Sequence, residues 1–219
     1  MIHPAHRLVK WLTGLLVCLG VICGAHADAL IAAQPGSAYR LIPPQPVQTG
    51  DRIEVIEFFW YGCPYCYELQ PALDAWLQRK PADVVLRRVP AVFRPTWVPH
   101  ARIYYTLEAL DAVGRLHRAV YDSYHMDQLP TDSAEKMAEW AAGHGLDREQ
   151  WVAAYNSPEV ERKVELAREL TARYQIQGTP SLVVDGRYVT SSGMTPSVPA
   201  VIPVLEDLIV LARARRAGK

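Results

Sequence analysis

Two cysteines, Cys63 and Cys66, stand two residues apart in the stretch EFFWYGCPYCYELQP, Glu57 to Pro71. That spacing suits three kinds of chemistry: half of a zinc site, a structural staple, or a reversible dithiol/disulfide couple. Zinc needs further ligands, yet no second Cys pair follows, and His100, His117, His125 and His144 lack the close spacings of tetrahedral sites. A staple across so short a loop constrains the unfolded chain little. The pair therefore reads as a redox couple, with no metal and no cofactor beyond the disulfide it can form.

The other two cysteines, Cys18 and Cys23, fall in an N-terminal segment with the pattern of a secretory signal. Arg7 and Lys10 precede the apolar run WLTGLLVCLGVIC, and Ala25-His26-Ala27 supplies small residues at cleavage spacing. The run has 13 residues, short of the roughly 20 that span a bilayer. Ile22 occupies the place before Cys23 where a lipoprotein signal wants a small residue. Cleavage is expected after Ala27, which leaves 21 Lys and Arg against 23 Asp and Glu. The exported chain then keeps Cys63 and Cys66 alone, which is not the pattern of a multiply bridged scaffold. Its near-neutral charge gives no footing for nucleic acid or an anionic membrane surface.

A redox couple needs a scaffold that shelters one sulfur and leaves the other reachable. RIEVIEFFW, Arg52 to Trp60, is a nearly continuous run of β-branched and aromatic residues, as in a buried strand. PYCYELQPALDAWLQRK, Pro64 to Lys80, reads as a helix with Pro64 at its first position and Cys66, Leu69, Leu73 and Leu77 on one apolar stripe. Pro71 predicts a kink in it. DVVLRRVPAVF reads as a second strand, and the chain is mostly helical from about Pro99 to Arg173, with Thr131, Asp132 and Ser133 as a capping cluster. Strand signals resume at SLVVDGRYVT, where Asp185-Gly186 predicts a hairpin, and a last helix runs from Ser197 to about Arg215. Its RARRAGK end reads as a solvated basic terminus.

Cys63 then sits just before a helix, where free N–H groups and the positive helix end favour a thiolate, while Cys66 points inward. A lower Cys63 pKa stabilises the reduced form and makes the disulfide a stronger oxidant, about 30 mV for each 1.4 kcal/mol. Glu57 lies within the apolar strand, costly to bury ionised, and is either a buried acid or an edge residue that reaches solvent. Trp60 and Tyr61 read equally as an apolar rim or as core, and the histidines as surface or internally satisfied residues.

FFWYGCPYCYELQP, followed far downstream by GTPSLVVDGRYV, resembles the DsbA family of periplasmic thiol oxidases within the thioredoxin superfamily. The resemblance spans nearly all of the exported chain. It implies an α/β, thioredoxin-like fold with an inserted all-helical domain. Residues 51–96 and 174–219 would form the thioredoxin-like part and 97–173 the insertion, after a signal peptide at 1–27 and an extended segment at 28–50. It implies that Cys63 is the nucleophile and Cys66 the resolving partner, with Pro64 and Tyr65 as the active-site dipeptide. Pro180 corresponds to the cis-proline that lies against the disulfide, and Thr179 offers its backbone to an extended substrate; without the Cys motif, Thr179-Pro180 would read as an ordinary turn. Glu57 corresponds to a buried acid that relays a proton to or from the inner cysteine. The implied protein is a periplasmic monomer that donates its disulfide to reduced or unfolded exported proteins and is recharged by a DsbB-like membrane oxidase.

The sequence departs from the family at two places. Tyr65 stands where such oxidases carry histidine, and a phenol offers only a neutral O–H donor, so a weaker oxidant with a higher Cys63 pKa is expected. Thr179 stands where well-known oxidases carry valine, with an effect whose sign the sequence does not reveal. Two other readings compete: a dedicated disulfide reductase or isomerase, and a peptide-binding chaperone of the same fold. Residues 28–50 are too few for the dimerisation domain of family isomerases.

Overall fold

The computed structural model describes residues 36–218, and the expected signal segment with its cleavage point after Ala27 lies outside them. Strand β2, Ile53–Phe59, is buried at every position, which is why its sequence shows no polar alternation. It lies between β3, Val84–Pro90, which runs parallel to it, and β4, Ser181–Val184, which runs antiparallel. The parallel connection is made by helix α1, Pro64–Arg79. Strand β4 turns at Asp185-Gly186 into β5, Tyr188–Ser191, as the hairpin signal predicts. Both turn residues have positive φ, 52° and 64°. A Cβ on Gly186 would meet the Gln45 carbonyl oxygen at 2.4 Å, so only glycine fits there.

One more strand lies inside the proline-rich segment that reads only as an extended lead-in. Strand β1, Arg40–Leu41, pairs antiparallel with β5 at the sheet edge. Two residues are too few to show a period. The sheet order is β1-β5-β4-β2-β3.

Helix α1 and the last helix, α7, Val201–Ala217, enclose one apolar cluster, in which Leu69, Leu73 and Trp76 meet Val55, Leu182 and Leu205. Trp76, and not Leu77, completes the buried stripe of α1, and the helix continues through Pro71. The second cluster joins Ile56, Phe58 and Val183 to residues of the helical block.

That block holds five helices: α2, Val98–Ala109; α3, Val113–Asp127; α4, Ala134–Gly143; α5, Arg148–Tyr155; and α6, Pro158–Arg173. Two stretches that read as continuous helix are each broken. Asp111 takes φ 51° between α2 and α3. Ser157 caps α6 by accepting from the Val160 amide, with Pro158 at the first helical position. Ser133 caps α4 as expected, whereas the Thr131 hydroxyl bonds to His100 Nε2 instead.

The basic end of α7 is not simply solvated. Arg213 pairs with Asp83, and Arg215 and Arg216 both pair with Asp185 in the β4–β5 turn. The Asp185 side chain is almost fully buried, and two guanidinium groups compensate its charge while tying α7 to the hairpin. No helix among the described residues is long and apolar enough to cross a membrane.

Candidate active site

Strand β2 ends at Phe59, and the chain turns through Trp60-Tyr61-Gly62 into α1, with the Cys63 amide donating to the Trp60 carbonyl at 3.0 Å. The Trp60 indole folds over Gly62 so closely that a Cβ there would lie 2.3 Å from Trp60 Cζ2. Cys63 itself is the N-cap residue of α1, with φ −89° and ψ 117°, and Pro64 takes the first helical position. Its Sγ accepts from the Cys66 amide at 3.4 Å, so the sulfur does the work of a capping oxygen.

The two sulfurs differ sharply in environment. Cys66 is fully enclosed, and Cys63 keeps an exposed edge of only 6%. The expectation of an open Cys63 is thereby narrowed, because the loop carrying Thr179 closes over it. The Cys63 pKa is lowered to about 6, chiefly by the hydrogen bond from the Cys66 thiol, against the opposing effect of burial. The Thr179 side chain and the backbone amides of Cys66 and Tyr65 add to the lowering. Cys66 goes the other way: burial first, then the hydrogen bond and charge of Cys63, push its thiol well above the ordinary range. The cysteines are unbridged, so this is the geometry of the dithiol.

The Thr179–Pro180 peptide bond is cis, and the Thr179 carbonyl lies 3.2 Å from Cys63 Sγ, within reach of the thiol proton. Residues 116 positions apart in the chain are thus in direct contact. Glu57 does not reach solvent. It is fully buried in β2, where its Oε2 accepts from Arg88 Nε at 2.9 Å and its Oε1 from Gln70 Nε2 at 3.0 Å. Gln70 Nε2 also donates to the Cys66 carbonyl at 3.3 Å, so one amide group links Glu57 to the backbone of the inner cysteine.

These features have counterparts in known proteins. A family model described as "DSBA-like thioredoxin domain" matches residues 98–197, which include the cis-proline. The thiol:disulfide interchange protein DsbA of Azotobacter vinelandii is 38% identical, over 87% of this chain and 91% of that protein. DsbA of Burkholderia cepacia is 34% identical, over 91% of this chain and 95% of its own length. The chain belongs to the DsbA family. The crystal structure of Pseudomonas aeruginosa DsbA superposes with a TM-score of 0.79 at 35% identity, covering 84% of this chain and 96% of that one. The fold is therefore thioredoxin-like with its helical insertion, and the protein is a thiol:disulfide oxidoreductase.

Around this DsbA-type couple the structure places residues that sequence reasoning did not single out. Arg88 and Gln70, which hold Glu57, carry no local signal, because only the β2–β3 register and the docking of α1 bring them there. The two readings of Trp60 and Tyr61 divide between the residues: Tyr61 is fully buried, and Trp60 is partly exposed and stacks on Trp97 at 4.1 Å. Of the two readings of the histidines, the described ones take internal partners, with His100 and His117 buried and His125 and His144 half-buried. His117 Nδ1 bonds the Tyr61 hydroxyl at 2.8 Å, and burial, reinforced by the charge of Arg88, holds the imidazole neutral, well below its ordinary pKa. His100 is buried as well, its pKa lowered to about 4 mainly by desolvation. His125 Nε2 lies 2.8 Å from the Tyr61 carbonyl and its ring stacks on Tyr67. Among the described residues no group of His, Cys, Asp and Glu is arranged to hold a metal ion.

In this DsbA-family site Tyr65 is the outward residue. It is 57% exposed and borders a groove that continues past Thr179 and Pro180. A neutral phenol at that place leaves the lowering of the Cys63 pKa to hydrogen bonds from Cys66, Thr179 and the helix start.

Proposed function

We propose that this protein oxidises dithiols of exported proteins in the periplasm, handing over the Cys63–Cys66 disulfide. The cysteine pair is itself the electron carrier. A substrate thiolate attacks Cys63 Sγ, the Cys63–Cys66 bond breaks, and Cys66 leaves as a thiolate that takes up a proton. A second substrate thiolate attacks the substrate sulfur of the mixed disulfide, and Cys63 departs as a stable thiolate. Two electrons pass to the enzyme, and the substrate gains one disulfide.

The observation that carries this reading is the asymmetry of the pair: Cys63 Sγ caps α1 with an exposed edge and a pKa lowered to about 6, whereas Cys66 is fully enclosed and its thiol raised. A stabilised Cys63 thiolate favours the reduced enzyme and hence disulfide donation. The cis-proline loop offers the Thr179 backbone to an extended substrate. Glu57, buried and held one Gln70 amide away from the Cys66 backbone, takes the family's role of the acid that assists proton movement at the inner sulfur. Residues 51–96 and 174–219 carry the redox site, with 97–173 inserted as a helical cover. The protein works as a monomer and is reoxidised by a DsbB-like membrane partner.

The test is turnover. Oxidised protein should accelerate disulfide formation in a reduced model protein such as a small secreted nuclease, and Cys63→Ser should abolish it. A protein that instead suppresses aggregation equally well with and without Cys63 is a chaperone. One found mostly reduced in the periplasm is a reductase or isomerase.

A further inference from the structure

Beside the cysteines, a groove of about 460 Å³ runs from Tyr65 past Thr179 to the sheet edge at Arg40. Its walls carry neutral polar groups, among them Gln177, Ser191 and Ser192. Among the described residues Arg40 is the only charged one in the lining, and no acid faces it there. Its side chain is held in place, because Nη2 donates to the Gln175 carbonyl at the end of the loop that leads to the cis-proline. That carbonyl is presented by a residue at φ 52°, so the anchor belongs to the loop geometry. Among the described residues no carboxylate forms an ion pair with Arg40. A guanidinium fixed at one nitrogen keeps further N–H donors for a carboxylate, with less side-chain entropy left to lose.

We propose that Arg40 is a specificity residue that selects substrate segments carrying an acidic side chain shortly after the reactive cysteine. The inference rests on the reading of this groove as the place where an extended substrate lies. A strand paired antiparallel with Thr179 advances toward its own C-terminus as the loop is followed back to Gln175, four positions away. At about 3.4 Å per residue, a side chain two to four positions after the cysteine comes beside Arg40. Opposite charge in a partly enclosed groove then adds to binding, and added salt weakens it.

Paired cysteine peptides with Glu or Lys at the second, third or fourth position after the cysteine test this. Binding of unreactive Cys→Ser versions is read by fluorescence anisotropy, and oxidation of the dithiol versions by kcat/KM. Wild type should prefer a Glu peptide about five- to tenfold in both readouts. The ratio should fall toward one in Arg40→Gln and reverse in Arg40→Glu. Because each ratio is taken within one variant, a general loss of activity cancels. A Glu-to-Lys ratio near one in wild type at every position, or a ratio that survives Arg40→Glu, overturns the proposal. Preferential binding of Glu peptides with no oxidation of any peptide would instead overturn the oxidase reading and leave the role of Arg40 standing.

Discussion

The sulfur of Cys63 caps helix α1 by accepting from the amide of Cys66, 3.4 Å away. The atom proposed to react and the atom that makes the folding contact are therefore the same. A thiolate accepts a hydrogen bond more strongly than a thiol and sits better at the positive end of a helix, so ionisation of Cys63 also strengthens the cap.

Together with the hydrogen bond from the Cys66 thiol, this cap gives the reduced protein a defined pH dependence. The Cys63 pKa falls from an ordinary 9.0 to about 6 on folding. Below about 6 both folded and unfolded chains carry the thiol, and the ionised site contributes nothing. Its contribution grows as pH rises between these two values and is complete above the unfolded one. The raised Cys66 opposes it only above the ordinary thiol range, where the unfolded chain would ionise there. Urea unfolding of reduced wild type and Cys63→Ser should diverge in favour of wild type from about pH 6 upward. Parallel profiles would show that the thiolate is not stabilised by the fold.

Thr179→Val should raise the Cys63 pKa, because the Thr179 side chain is one of the groups that lower it. The variant should also be less oxidising in equilibrium with glutathione, since a less stable thiolate means a less stable reduced form. A more oxidising variant would contradict this role of the Thr179 side chain.

Tyr65→His should act in the opposite direction. Tyr65 lies at the helix start with most of its surface in water, and a protonated imidazole there would add a positive charge near the Cys63 thiolate. A lower Cys63 pKa by thiolate absorbance is expected, with a potential higher by about 30 mV for each 1.4 kcal/mol of added thiolate stabilisation. An unchanged or more reducing potential counts against the role given to this position.

Arg88→Ala should be strongly destabilising, because it leaves the Glu57 carboxylate in the sheet without its cation. A loss of about 3–5 kcal/mol is expected from denaturant unfolding. Glu57→Gln in the Arg88→Ala background should recover part of it. In otherwise wild-type protein, Glu57→Gln should slow turnover and shift its pH profile, through proton movement at Cys66. A change in stability with an unaltered profile would make Glu57 purely structural.

The local parts of this molecule were readable in its sequence. The unbroken apolar run of β2, the Pro64 start of α1 and the Asp185-Gly186 turn each rest on residues within a few positions of one another. Two breaks inside the helical block differ in how far the sequence marks them. Ser157-Pro158 is a local cap signal embedded in a long helical pattern, whereas the turn at Asp111 has no glycine or proline to mark it. Strand β1 was out of reach because two residues have no periodicity and depend on β5 for their hydrogen bonds.

By itself, then, the sequence determined the chemistry: two cysteines at redox spacing, on a strand-helix junction, one on the helix's apolar stripe. The family resemblance added the expected roles of Pro180 and Glu57. Only the tertiary structure decided how the chemistry is tuned. The contact of Thr179 with Cys63, the clamp of Arg88 and Gln70 on Glu57, and the placement of Arg40 at the groove join residues far apart in the chain. Such contacts are set by strand register and helix docking, which depend on the packing of the whole core and leave no mark in any short stretch of sequence.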